Sequence, residues 1–105
     1  MGDVVPEIIS IVTRYIQGLE QEDIHVQSAF LFGSRAGRQF DQWSDIDIAL
    51  VSDDFAGNRF MDKERIRKIT LAVSPLLSPI PFATPDFTDE DPFVRHIRET
   101  GVSVK

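Results

Sequence analysis

Apolar positions repeat along this chain with two different periods. Val4, Val5, Ile8, Ile9, Val12, Tyr15, Ile16 and Leu19 recur at helical spacing. They predict an amphipathic helix over 4–20. Pro6 falls in its first turn, where a missing N–H costs nothing, and Gly18 lies near its end. Val26 to Phe32 is a short apolar and aromatic run stopped by Gly33, and it reads as a strand. Ser34 to Ser44 is polar and basic with Gly37 inside, which predicts a turn or short helical piece followed by a loop. Ile46 to Val51 is apolar on both faces beyond Asp47, the pattern of a central strand covered by helices on both sides.

Ser52 to Arg59 holds Asp53, Asp54, Gly57 and Asn58, which are loop residues. Asp62 then reads as the cap of a helix over 63–74. Ile66, Ile69 and Val73 form its inner face, and Ser74-Pro75 stops it. Leu76 to Ala83 is mostly apolar, but Pro79 and Pro81 cannot donate ladder hydrogen bonds, so this is an edge strand. Asp91-Pro92 opens a helix that buries Phe93, Val94 and Ile97 and ends at Thr100-Gly101. Val102 to Lys105 forms a last short strand. The alternation predicts an α/β (α+β) fold, a mixed β-sheet flanked by helices, in a single domain over residues 1–105.

Composition narrows the function classes. Hydrophobic residues make up 42% and charged residues 27% of the 105, ordinary for a globular chain. A net charge of −6 argues against a broad basic surface for nucleic acid or anionic membrane and leaves room for a local basic pocket. Without cysteine there is no disulfide and no thiolate metal site. MGDVVPEII carries no basic-then-apolar leader, and no apolar run nears the roughly 20 residues that span a bilayer. The expected setting is the cytoplasm.

The chemistry concentrates in LFGSRAGRQFDQWSDIDIALV, residues 31–51. On a strand, Asp45 and Asp47 share one face and Ile46 points to the other. Two like charges there repel, and aspartate is a poor strand former. A cation between them resolves the conflict, and hard carboxylate oxygens in small number suit magnesium that keeps water and substrate phosphates as its other ligands. Ala49 and Val51 continue the same face as apolar residues, so the acidic site is confined to one strand end. Gly33 lets a ligand reach backbone N–H groups, Ser34 adds a hydroxyl, and a helix start here would favour an anion. Arg35 and Arg38 can bind phosphate oxygens or stack on a base. Metal at one strand end and phosphate at its neighbour is the layout for phosphoryl or nucleotidyl transfer from a magnesium–nucleoside triphosphate.

Gly33-Ser34, ten residues, then Asp45-Ile46-Asp47 resembles the GSx10DxD signature of minimal nucleotidyltransferase domains, relatives of DNA polymerase β. FLFGSRAGR, SDIDIALV and the tail PFATPDFTDEDPFVRHIRETGVSV are similar to the bacterial members, so the resemblance covers most of the chain. It implies a palm-like nucleotidyltransferase fold, two magnesium ions on Asp45 and Asp47, and a triphosphate on Gly33 and Ser34; Arg35, which adjoins Ser34, is a further nucleotide-binding candidate. It implies transfer of a nucleoside monophosphate, AMP from ATP, to a hydroxyl. It further implies a bacterial antitoxin setting, with an all-helical HEPN-domain toxin as partner and acceptor through a tyrosine, or a homodimer. A third carboxylate is expected from a later strand. The chain departs from the pattern there, with Ser78 or Pro79 at that place, and the alternative function is a nucleotide- and partner-binding module with little or no catalysis.

Plainer readings stand beside these. Alone, Asp45 and Asp47 are better explained as a solvated strand end; the spacing from Gly33-Ser34 tips the reading to a metal site. Ser34 can be a turn hydroxyl, and Arg35 and Arg38 ordinary surface arginines. Ser44 reads as a turn cap, Trp43 as packing, and His25 and His96 as solvent-exposed. Asp86, Asp89, Glu90 and Asp91 read as a solvated helix start with Asp91 as cap; Asp86 replacing the third acid is the lesser reading.

Overall fold

The computed structural model describes residues 6–33 and 45–105. Three helices, α1 (Pro6–Gln21), α2 (Arg59–Val73) and α3 (Pro92–Thr100), flank four strands. These are β1 (Ser28–Phe32), β2 (Ile46–Ser52), β3 (Leu77–Ala83) and β4 (Val102–Ser103), in spatial order β3-β2-β1-β4. β1 pairs antiparallel with β2 and β4, whereas β2 and β3 run parallel, so the sheet is mixed as expected. Parallel strands need a crossover, and α2 supplies it.

β2 is buried on both faces because its side chains alternate between two cores. Ile46, Ile48 and Leu50 pack with Val12, Tyr15, Leu19 and Ile66 of α1 and α2. Ala49 and Val51 pack with Phe32, Phe82, Val94 and Ile97, so α3 covers the other face. α1 ends at Gln21, shortly after Gly18, as expected. Gly18 serves packing: a Cβ added to it would stand 3.2 Å from Cγ2 of Ile69, so the glycine lets α1 and α2 approach closely.

Tyr15 is fully buried, and its hydroxyl meets that of Thr70 at 2.6 Å, stitching α1 to α2. Burial pushes its phenol up from the ordinary 10.0 to about 12, opposed in part by the Thr70 hydrogen bond. Above pH 10 the unfolded chain ionises this phenol and the native state does not. The stabilising contribution is therefore complete below 10 and is lost as pH rises toward 12, a change on the order of 2–3 kcal/mol. Tyr15 is the one tyrosine of the chain, so phenolate absorbance reports it alone. Thermal melts should lose stability over that window more steeply than those of Tyr15→Phe; equal slopes would contradict the assignment.

α2 begins earlier than its pattern suggested. Asn58, not Asp62, is the cap, and its side chain accepts from the Met61 N–H at 3.1 Å. Asn and Asp are comparable caps, and the Asn reaches the first turn of a helix that starts at Arg59. Asp62 instead turns inward, 2% exposed, and accepts from the N–H groups of Ala56 and Gly57 at 2.9 and 3.0 Å. At α3 the reading holds: Asp91 caps it by accepting from the Phe93 N–H at 2.8 Å, and Gly101 follows its end.

β3 is an edge strand, as its prolines required. The Leu76 carbonyl accepts from the Ile46 N–H at 2.8 Å, which sets the parity of the ladder. Ser78, Ile80 and Phe82 share that parity and turn their backbone groups to β2. Pro79 and Pro81 point theirs to the open side, where the missing N–H groups break no pairing. Among the described residues, no helix is long and apolar enough to cross a membrane.

Candidate nucleotide and metal site

The end of β1 and the start of β2 lie side by side because the two strands are antiparallel. Phe32 is registered opposite Asp47, which places Gly33 beside the Asp47 carboxylate. Gly33 has a positive φ of 67°, a conformation that costs an L-residue about 1–2 kcal/mol. A Cβ on Gly33 would collide with Oδ2 of Asp47. Both the backbone turn and the carboxylate against it therefore require glycine here. The structure thus joins two residues that are far apart in sequence and that the motif had singled out together.

On the other side, β3 registers Ser78 opposite Asp47 and Pro79 opposite Ile48. Of the two positions where a third acid was expected, Ser78 is the one beside Asp47. Its hydroxyl hydrogen-bonds the Asp47 side chain. Asp47 is half-buried, and its carboxyl is pushed above the usual range. Burial is the largest cause, the charge of Asp45 adds to it, and the Ser78 hydrogen bond opposes it. Asp45 itself is exposed, just before β2.

The apolar surroundings explain the burial. Phe32 packs edge-to-face on Phe93 of α3, with centroids 5.7 Å apart, and Phe82 lies next to Phe93 at 6.3 Å. Asp47 thus sits at the polar end of a face that continues as Ala49 and Val51 into an aromatic core. Sequence reading did not single out Phe32 as a wall of the site. The available signal was its place next to Gly33 in a strand antiparallel to β2.

The remaining candidates fall elsewhere. Ser34, Arg35, Arg38, Trp43 and Ser44 lie outside the described residues. Asp86 belongs to a short 3-10 turn after β3 and approaches Gly57, at the far end of the sheet. Ala83 registers with Ser52, five residues from the Asp47 level and so about 16 Å along the strand. Asp86 cannot stand in for an acid at Ser78. His25 and His96 are both exposed, as expected. His25 does have a partner, however, since its Nδ1 lies 3.0 Å from Oδ2 of Asp54. Among the described residues, no group of three or more His, Cys, Asp or Glu side chains gathers as a metal site.

The polymerase beta nucleotidyltransferase family model matches residues 14–105. The chain belongs to that family. The mixed sheet and its three helices are consistent with this nucleotidyltransferase fold, and the family assigns nucleotidyl transfer in general terms. No curated protein shows significant similarity to the chain. The nucleotidyltransferase match contains Gly33, Asp45, Asp47 and Ser78, so the geometry above lies within the region that carries the family.

The donor set fits a hard divalent cation. Two neighbouring aspartates, one of them held against a Cβ-free residue and raised by burial and like charge, repel each other until a cation neutralises them.

Proposed function

We propose that this nucleotidyltransferase domain binds a magnesium–nucleoside triphosphate at the Gly33, Asp45 and Asp47 end of the sheet. It transfers the nucleoside monophosphate, AMP from ATP, to a hydroxyl acceptor. The observation that carries the reading is the Asp47 carboxylate seated against Gly33 with Asp45 beside it, in a chain of this family. Asp45 and Asp47 would hold the magnesium, which supplies charge neutralisation at the phosphates. Gly33 leaves backbone room for the triphosphate, and Ser34 and Arg35 are the residues proposed to bind it. The acceptor oxygen forms a bond to the α-phosphorus as the bond to the departing pyrophosphate breaks. Serine is a poor base at neutral pH, so Ser78 leaves the hydroxyl proton to solvent.

The proposed setting is cytoplasmic, with a HEPN-domain toxin as partner and one of its tyrosines as acceptor. A second reading has a specific observation in its favour. Ser78, a neutral hydroxyl, occupies the position beside Asp47 where a further carboxylate would complete a two-metal site. In that reading the domain binds nucleotide and partner with little turnover.

The test is incubation with ATP labelled at the α-phosphate, magnesium and the product of the neighbouring gene. Magnesium-dependent transfer of label to a partner tyrosine is the expected result. Magnesium-dependent ATP binding by calorimetry without transfer would select the second reading. Absence of both would overturn the site.

A further inference from the structure

Ser78 is held in place by its strand and by the proline that follows it. Its register opposite Asp47 comes from the parallel pairing of β3 with β2, and its backbone groups turn to β2. Leu77 before it is buried, and Pro79 after it confines the Ser78 backbone to the extended region. Few directions are open to the side chain, and the one it takes is toward the Asp47 carboxylate. An ionised carboxylate only accepts, so the hydroxyl donates. Gly33 bounds the same carboxylate from the β1 side, close to Oδ2. Asp47 is thus held from both neighbouring strands, while Asp45 is exposed just before β2.

This arrangement limits the positive charge that the pair can hold. Sites built for two metal ions set them about 3.5–4 Å apart, and two magnesium ions bring four positive charges. Asp45 and Asp47 supply two negative charges, and β3, LSPIPFA, contains no acid to add a third. Among the described residues, no third His, Cys, Asp or Glu joins them. One magnesium on one or two carboxylates, with water and substrate phosphates as its other ligands, matches both the charge and the number of donors. To bridge two ions, a carboxylate must also offer both oxygens. Asp47 has one of them packed against Gly33 and uses an acceptor position on Ser78, which leaves one side of the group for a cation.

We propose that this site holds one divalent cation per bound triphosphate, not two, and that Ser78 is a positioning residue that aims the Asp47 carboxylate at it. The inference rests on the reading of Asp45 and Asp47 as the metal-binding pair. Hydrogen bonds from outside the ligand set fix the orientation of ligating carboxylates, and their loss typically lowers metal affinity by about 10–100-fold. Ser78 supplies such a bond from a strand that cannot swing away, because β2 pairs with it along its length.

The probes are manganese, in place of magnesium, and α,β-methylene-ATP, a triphosphate that cannot release pyrophosphate. Equilibrium dialysis of the full chain with both counts the bound manganese. Electron paramagnetic resonance shows whether two ions lie close enough to couple. The wild type should retain one manganese per chain, with an uncoupled spectrum. Ser78→Ala should still take one ion and bind it about tenfold more weakly or worse. Ser78→Thr, which keeps the hydroxyl, should restore the affinity. Ser78→Asp should take up a second ion and show a coupled spectrum.

Two coupled ions in the wild type overturn the single-cation assignment. Equal affinity in Ser78→Ala and the wild type overturns the positioning role. A Ser78→Asp chain that is folded by circular dichroism and still binds one ion also overturns the proposal, since Ser78 would then not occupy the place of the missing ligand. Should Ser78→Asp fail to fold, the wild-type count and the Ala–Thr pair decide. Asp47→Asn separates this inference from the reading beneath it. If that variant retains manganese as the wild type does, the Asp47 site fails and the inference fails with it. Two coupled ions that Asp47→Asn releases would overturn the inference alone and leave the site standing.

Discussion

Asp47→Asn should lower magnesium-dependent nucleotidyl transfer by about 10²-fold or more while the fold survives. The substitution keeps the shape of the side chain against Gly33 and its place opposite Ser78, and removes the charge that neutralises a cation. The accompanying stability change has the opposite sign. Burial and the charge of Asp45 both disfavour the Asp47 carboxylate, so a neutral amide relieves a cost already present in the native state. The melting temperature should therefore stay level or rise while transfer and magnesium-dependent nucleotide affinity fall. Kinetics, calorimetry and a thermal melt on the same preparation check all three. Nucleotide affinity that still responds to magnesium as in the wild type would show that Asp47 holds no metal.

Asp62→Ala should be the most destabilising single change outside the apolar core, costing about 3 kcal/mol. Its buried carboxylate satisfies two backbone N–H groups, those of Ala56 and Gly57, through charge-assisted bonds. Alanine leaves both donors without that partner in the turn between β2 and α2. For a domain of this size the loss lowers the melting temperature by roughly 15 °C. Asp62→Asn should fall between the two, because one amide oxygen can accept from only part of the pair and the NH₂ faces a donor. The turn lies at the opposite end of β2 from Asp47, so nucleotide affinity of the folded fraction should not change. A loss below about 1 kcal/mol in Asp62→Ala would mean that the turn is held by other contacts.

What could be read in the sequence was what local patterning controls. β2 was legible because an apolar run longer than one face requires cover on both sides, and α3 because Asp91-Pro92 is a local start signal. The start of α2 was misread because Asn58 and Asp62 are both competent caps four residues apart. Which one caps depends on where the chain leaves β2, and that is a tertiary matter. The same limit applied at the site. The motif singled out Gly33 and Asp47 together, but that the carboxylate rests against the glycine follows from the antiparallel pairing of β1 with β2, not from spacing alone. Ser78 and Pro79 could not be told apart until the register of a parallel pair was known. Asp86 was close in sequence to the end of β3 and far from Asp47 in space, because the strand carries it the length of the sheet.

Pro79 and Pro81 have a consequence for how this domain keeps company. An open sheet edge is a template on which another chain can add a strand, the first step toward swapped dimers and fibrils. The outer edge of β3 offers carbonyls there with gaps where two donors would stand, so an incoming strand finds an incomplete partner. The opposite rim, β4, is two residues long and offers little to copy. Both margins of the sheet thus discourage growth by backbone pairing. Association is steered to side-chain surfaces, where charge and shape select the partner and where it can be undone.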